Sequence, residues 1–224
     1  TGLPRIDSVE SAEDVAKGQS EMIAAMNKAW QGPRAAPVRM LPDSLKITEL
    51  PEPVHNGKDR SIAFGIDELE LAPVTLDPLV EPHLFIVGMP ECGKTNLLRV
   101  LLRGITQRYT PKEAKIILVD YRRDLLGEVE TDHLIGYAAS SQAGTDLLKN
   151  AADAVRTRLP GPDVSQQELR DRSWWKGSEM FVVVDDYELV ATSMGNPMNV
   201  FGDLVSQAQA VSYTHLTLPT TPYV

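Results

Sequence analysis

The sequence predicts an α/β protein built on a mostly parallel sheet flanked by helices, and three observations carry that reading. The apolar run Leu84 to Val87 leads through Gly88-Met89-Pro90-Glu91-Cys92-Gly93-Lys94-Thr95, a G-x-x-x-x-G-K-T motif, into a helical pattern. Two further apolar runs, Lys115 to Val119 and Met180 to Val184, read as buried strands, and each ends in acid: Asp120 after the first, Asp185 and Asp186 after the second. Helical periodicity separates the runs, so strand, helix and strand alternate as a parallel sheet requires.

Composition bounds what such a protein can do. A chain of 224 residues can bury one full core and at most a second small element. A net charge of −9 argues against coating nucleic acid by bulk electrostatics, although a local basic loop remains compatible with it. No apolar run approaches the roughly 20 residues of a membrane span and no signal peptide opens the sequence, so a cytoplasmic location is expected. Cys92 is the single cysteine, which excludes an internal disulfide and fits a reducing compartment. It lies inside the glycine-rich loop, either as a small residue that fits there or as a point where oxidation blocks the loop.

Taken in order, the chain opens on a short polar stretch and then a helix. Ser11 is an N-cap candidate with Asp14 three residues on, and Val15, Met22, Ile23, Met26 and Trp30 form an apolar stripe that needs a partner surface. Gly32 to Pro37 is a breaker-rich linker, Val38 to Pro42 reads as extended, and Pro51 to Arg60 is a loop. Ser61 to Ile66 and Pro73 to Asp77 alternate, which predicts short antiparallel strands leading into the core. After the glycine-rich loop, Leu97, Leu98, Leu101, Leu102 and Ile105 fall on one helical face.

Asp120 stands where the carboxyl end of a parallel strand faces a ligand, but a turn role with Tyr121, Arg122 and Arg123 is equally open. Arg122 and Arg123 belong either to that solvated corner or to a surface facing a neighbouring subunit's nucleotide. Ser141 to Leu159 reads as a helix with Leu147, Leu148, Ala151, Ala154, Val155 and Leu159 on one face, stopped by Pro160-Gly161-Pro162. Ser165-Gln166-Gln167-Glu168 is a capping box for a short helix ending near Trp174 and Trp175, which either pack on the core or form a binding surface. Pro197 to about Ala210 forms a last helical pattern around Val200, Phe201, Leu204, Val205 and Ala208.

The motif chemistry is that of a phosphate-binding loop. Gly88 and Gly93 let the backbone between them turn its N–H groups onto an anion, with Met89, Pro90, Glu91 and Cys92 forming the span, and the following helix adds its positive dipole end. Lys94 would reach the terminal phosphates of ATP and act in catalysis, and the Thr95 hydroxyl would ligate Mg²⁺. Met180 to Asp186 then reads as a Walker B strand. Asp185 would hold the Mg²⁺, and Asp186 would orient or deprotonate the attacking water.

Together, Gly88 to Thr95, Val119-Asp120-Tyr121-Arg122-Arg123 and Val182-Val183-Val184-Asp185-Asp186-Tyr187 resemble an FtsK/SpoIIIE-type ATPase domain. The resemblance is closest to a C-terminal ATPase module of EccC, the motor of type VII secretion systems, and Phe64 to Asp67, Leu71 to Val74 and the opening helix with its linker add to it. It implies a P-loop NTPase of the RecA/FtsK-like additional-strand class, with residues 1–50 joining from a preceding module and residues 51–210 forming the ATPase domain. It also implies ATP and Mg²⁺ as ligands, other ATPase modules in a hexameric motor, a membrane-embedded secretion complex at the inner membrane, and small helical Esx-type substrates. A nucleotide-locked, non-catalytic substrate receptor and an FtsK-type DNA translocase are the alternatives.

Asp186 departs from the Glu usual in active translocases. Its shorter side chain would leave the carboxylate about 1–1.5 Å short of the water, a misplacement that can cost ~10²-fold in rate. The stretch 211–224 also departs from everything before it and resembles translated sequencing-adapter read-through, so it is expected to be non-native. In the resembled class, the strand after Walker B inserts between it and the phosphate-loop strand. The domain is therefore expected to be C-terminally incomplete, with that central slot vacant and the chain poorly stable.

Overall fold

Strands that are apolar along their whole length need cover on both faces and partners on both edges, and the sheet supplies both. The computed structural model describes residues 12–33, 38–50, 60–171, 173, 177–205 and 213–217. These fall into two units, Thr1–Arg39 and Met40–Val224. In the first, α1 (Ala12–Ala29) exposes its apolar stripe at Met22, Ile23, Met26 and Trp30, and the Trp30 indole N–H donates to the Pro33 carbonyl at 3.0 Å. Ser11, Trp174 and Trp175 lie outside the described residues, so the capping and binding-surface expectations made for them do not meet the structure.

The second unit holds two sheets. β1 (Ile62–Ile66) and β2 (Pro73–Leu76) pair antiparallel, as their alternation predicts. The main sheet contains β3 (His83–Phe85), β4 (Ala114–Val119), β5 (Leu134–Ala138), β6 (Glu179–Val184) and β7 (Tyr213–Thr217) in the spatial order β3-β7-β6-β4-β5. All of its pairings are parallel. Side chains alternate across it. Ile116 and Leu118 of β4, with Phe181 and Val183 of β6, pack against Leu98, Leu101, Leu102 and Ile105 of α2 (Lys94–Arg108), and Ile62 and Leu76 join from the small sheet. On the opposite face, Ile117, Val119, Met180, Val182 and Val184 meet Leu148, Ala151, Ala152 and Val155 of α3 (Ser141–Arg156), with Phe201 and Leu204 beyond.

Local signals explain the helix ends. Ser140 caps α3 by accepting from the Ala143 N–H. Ser165 and Glu168 form the predicted reciprocal box at α4 (Gln166–Asp171): the Ser165 N–H donates to Glu168 Oε2 at 2.9 Å, and the Glu168 N–H donates to Ser165 Oγ at 3.2 Å. α5 (Tyr187–Val190) follows β6 directly, and Pro197–Phe201 is a 3₁₀ turn rather than the start of a long helix.

Two expectations are corrected. The run Leu84 to Val87 is not a fully buried strand: β3 is short, and Phe85 and Val87 are half exposed, because β3 is the sheet edge. The central slot beside Walker B is not vacant either. β7 fills it, with His215 in register with both His83 and Val182. The segment Tyr-Thr-His-Leu-Thr is rich in residues that favour extended backbone, and a parallel slot bordered by two strands asks chiefly for main-chain pairing.

Candidate nucleotide-binding site

The loop between β3 and α2 has the backbone of an anion cradle. Gly93 sits at φ 92° and Glu91 at φ 60°, both in the left-handed region. A Cβ on Gly88 would come 2.6 Å from Cys92 Sγ, so a side chain there would have to push the Cys92 thiol aside. Met89 and Pro90 complete the exposed rim and Cys92 is exposed within it. Lys94 is buried and folds back over the loop, its ammonium donating to the carbonyls of Gly88 at 3.1 Å and Met89 at 2.7 Å.

Parallel pairing of β4 with β6, Val119 opposite Val184, brings the two acidic strand ends side by side. The Asp185 N–H donates to the Val119 carbonyl. From the loop side, Thr95 Oγ1 donates to Asp185 Oδ2 at 3.1 Å, joining residues 90 positions apart in the chain. Asp185 is 2% exposed, and burial first, then the adjacent Asp186 carboxylate, pushes its carboxyl up to about 6. Asp186 has a left-handed backbone, φ 46° and ψ 60°. Burial raises its pKa, with the Arg122 guanidinium opposing the rise.

Asp120 takes the turn role, not the ligand role. It is fully buried, and its carboxylate accepts from the backbone N–H groups of Arg123, Asp124 and Leu125 and from the Tyr137 hydroxyl at 3.0 Å. These bonds fold residues 120–125 into a fixed corner. Leu125 is buried beneath it, Tyr121 packs where Gly144 leaves no Cβ, and Arg99 donates to the Asp124 carbonyl at 2.6 Å. The corner delivers two side chains to the site. Arg122 Nε lies 2.8 Å from Asp186 Oδ2, and the Asp124 carboxylate lies within 4.8 Å of those of Asp185 and Asp186. Arg122 therefore lines the candidate cavity of its own chain, together with Lys94, Thr95, Arg99, Asp124 and Asp186.

Asp124 was not singled out from the sequence. Its signal was its place in the acidic-basic corner directly after a strand, which the folded corner alone turns toward Asp185. Among the described residues, no helix is long and apolar enough to cross a membrane.

The profile of the FtsK/SpoIIIE family matches residues 47–201. The ESX secretion system protein EccC of Thermomonospora curvata is 47% identical over 211 residues, covering 94% of this chain and 16% of the relative. The ESX-4 secretion system protein EccC4 of Mycobacterium tuberculosis is 38% identical over 185 residues, covering 83% of this chain and 15% of the relative. The chain thus spans only about a sixth of the length of these two relatives. Among solved structures, Thermomonospora curvata EccC, ATPases 2 and 3, in complex with a signal sequence peptide superposes with a TM-score of 0.82 at 45% identity, covering 98% of this chain and 39% of that one.

Proposed function

The chain belongs to the FtsK/SpoIIIE family, and from that premise we propose that it is the Mg-ATP-binding module of a type VII secretion motor. Its EccC relatives support the secretion assignment. The contact that carries the nucleotide reading is Thr95 Oγ1 to Asp185 Oδ2, because it joins the phosphate-loop hydroxyl to the Walker B carboxylate across one cavity.

The residues present fit Mg-ATP. The loop from Gly88 to Gly93 passes through left-handed backbone at Glu91 and Gly93, and the N-terminus of α2 opens onto it. Lys94 would exchange the carbonyls of Gly88 and Met89 for phosphate oxygens. Thr95 and Asp185 would hold Mg²⁺, with Asp124 close enough to bind through water. The cation supplies charge neutralisation for phosphoryl transfer. Asp186 is a buried carboxylate beside this set that can accept a proton from water, and the Arg122 ion pair must open for it to do so.

Working partners on this reading are other ATPase modules in a hexameric motor, a membrane-embedded secretion complex at whose cytoplasmic face the chain acts, and small helical Esx-type substrates. The signal sequence peptide bound to the Thermomonospora relative supports the last of these. A second reading, a nucleotide-locked receptor that binds ATP without turning it over, is favoured by the Arg122–Asp186 pair and by the short Asp186 side chain.

Single-turnover phosphate release from Mg-ATP, measured with and without DNA, separates these functions. Release by the wild type identifies a motor module. Bound nucleotide with no release, gained on Asp186→Glu, identifies the receptor, and release that depends on DNA identifies a translocase.

A further inference from the structure

Three carboxylates, those of Asp124, Asp185 and Asp186, converge within 4.8 Å at the mouth of the site. Such a cluster repels itself unless a cation stands beside it. Of the cations lining the cavity, Lys94 is held on the loop carbonyls and Arg99 on the Asp124 carbonyl with Glu128 at 3.7 Å. Arg122 is the one paired directly with the cluster, Nε to Asp186 Oδ2 at 2.8 Å. The two sides of that pair differ. Asp186 is nearly buried, whereas the Arg122 side chain is 56% exposed on a backbone corner that Asp120 and Tyr121 hold in place.

We propose that Arg122 is a terminal-phosphate sensor acting within its own chain: it guards Asp186 in the empty site and exchanges that carboxylate for the terminal phosphate of a bound nucleoside triphosphate. This rests on the nucleotide reading above and adds the residue that tells triphosphate from diphosphate. The exchange would be favourable because the carboxylates would no longer need Arg122 once they held Mg²⁺, and its guanidinium fork matches phosphate oxygens better than a lone ammonium does. It also couples two events. Asp186 is released only when a terminal phosphate holds Arg122, so a diphosphate leaves the guard in place.

The test compares Mg-AMPPNP and Mg-ADP affinities by calorimetry for the wild type, Arg122→Ala, Arg122→Lys, Asp186→Asn and the Arg122→Ala/Asp186→Asn double variant, with thermal unfolding as the folding check. A charge-assisted phosphate contact sets the expected scale at about tenfold. Arg122→Ala weakens Mg-AMPPNP by about that factor and leaves Mg-ADP within about twofold, and Arg122→Lys lies between Ala and wild type. Asp186→Asn, which removes the competitor, tightens Mg-AMPPNP several-fold with Arg122 present and not without it. Equal weakening of both nucleotides by Arg122→Ala, an unchanged ratio, or an Asp186→Asn effect that persists without Arg122 overturns the proposal. A wild type that binds neither nucleotide overturns the site assignment itself, and the sensor with it.

Discussion

Asp185 is an acid whose burial beside Asp186 keeps its carboxyl up at about 6 in the metal-free protein. A raised acid pKa means the folded state binds the proton more tightly than the unfolded state. Ionising Asp185 therefore costs stability, a cost absent below the unfolded value of 3.8 and fully present above about 6. In metal-free denaturation, Asp185→Asn is expected to be more stable than wild type at pH 7.5, with the gap narrowing as pH falls from about 6 toward 4. A gap independent of pH contradicts this. Mg²⁺ reverses the sign, stabilising wild type but not Asp185→Asn. Of the candidate site, the loop glycines, Lys94, Thr95 and both Walker B acids were legible from the sequence, because each belongs to a motif of fixed spacing. Asp124 and the guarding role of Arg122 were not legible, because each depends on a corner whose shape comes from backbone hydrogen bonds to Asp120.

That corner is an element in its own right, and it sets the cost of losing its centre. Asp120→Ala strands the buried N–H of Leu125, at about 1–3 kcal/mol by the cost of an unmet buried polar group. Urea unfolding checks the loss, and Mg-AMPPNP affinity falls in the same variant because Arg122 is no longer held in place. Helix α2 offers a second test. A Cβ on Gly104 would collide with Ile62 of β1, so Gly104→Ala loses about 1–3 kcal/mol to overpacking against a helix-propensity gain of at most ~1 kcal/mol. A lower denaturant midpoint at unchanged slope is expected, and a higher midpoint contradicts it. The sequence pattern does not mark β5 because Gly136 interrupts its apolar run, yet that glycine is what admits Leu147 of α3 against the strand. β3 reads as buried in the sequence yet lies at the edge, because periodicity does not distinguish an edge strand from a central one.

At the scale of the whole molecule, the parallel sheet and its two helical layers follow from apolar runs that alternate with helical patterns. The order of strands does not, because order depends on which strand fills the slot between β3 and β6. With β7 there, both site-bearing strands have their shared neighbour. The second unit is therefore expected to unfold in one cooperative transition, and removal of residues 211–224 to lower its midpoint and raise aggregation by uncovering two strand edges. Identical melting of both forms contradicts the role given to β7. The site stands at the carboxyl ends of these same strands, so the central claim is that fold and nucleotide site are one construction. Calorimetric titration of the intact chain with Mg-ATP, with Lys94→Ala as the control, tests it most directly. The account predicts saturable binding to the wild type, lost on Lys94→Ala with the melting transition preserved. Absence of binding to a folded wild type, or binding indifferent to Lys94, would contradict it.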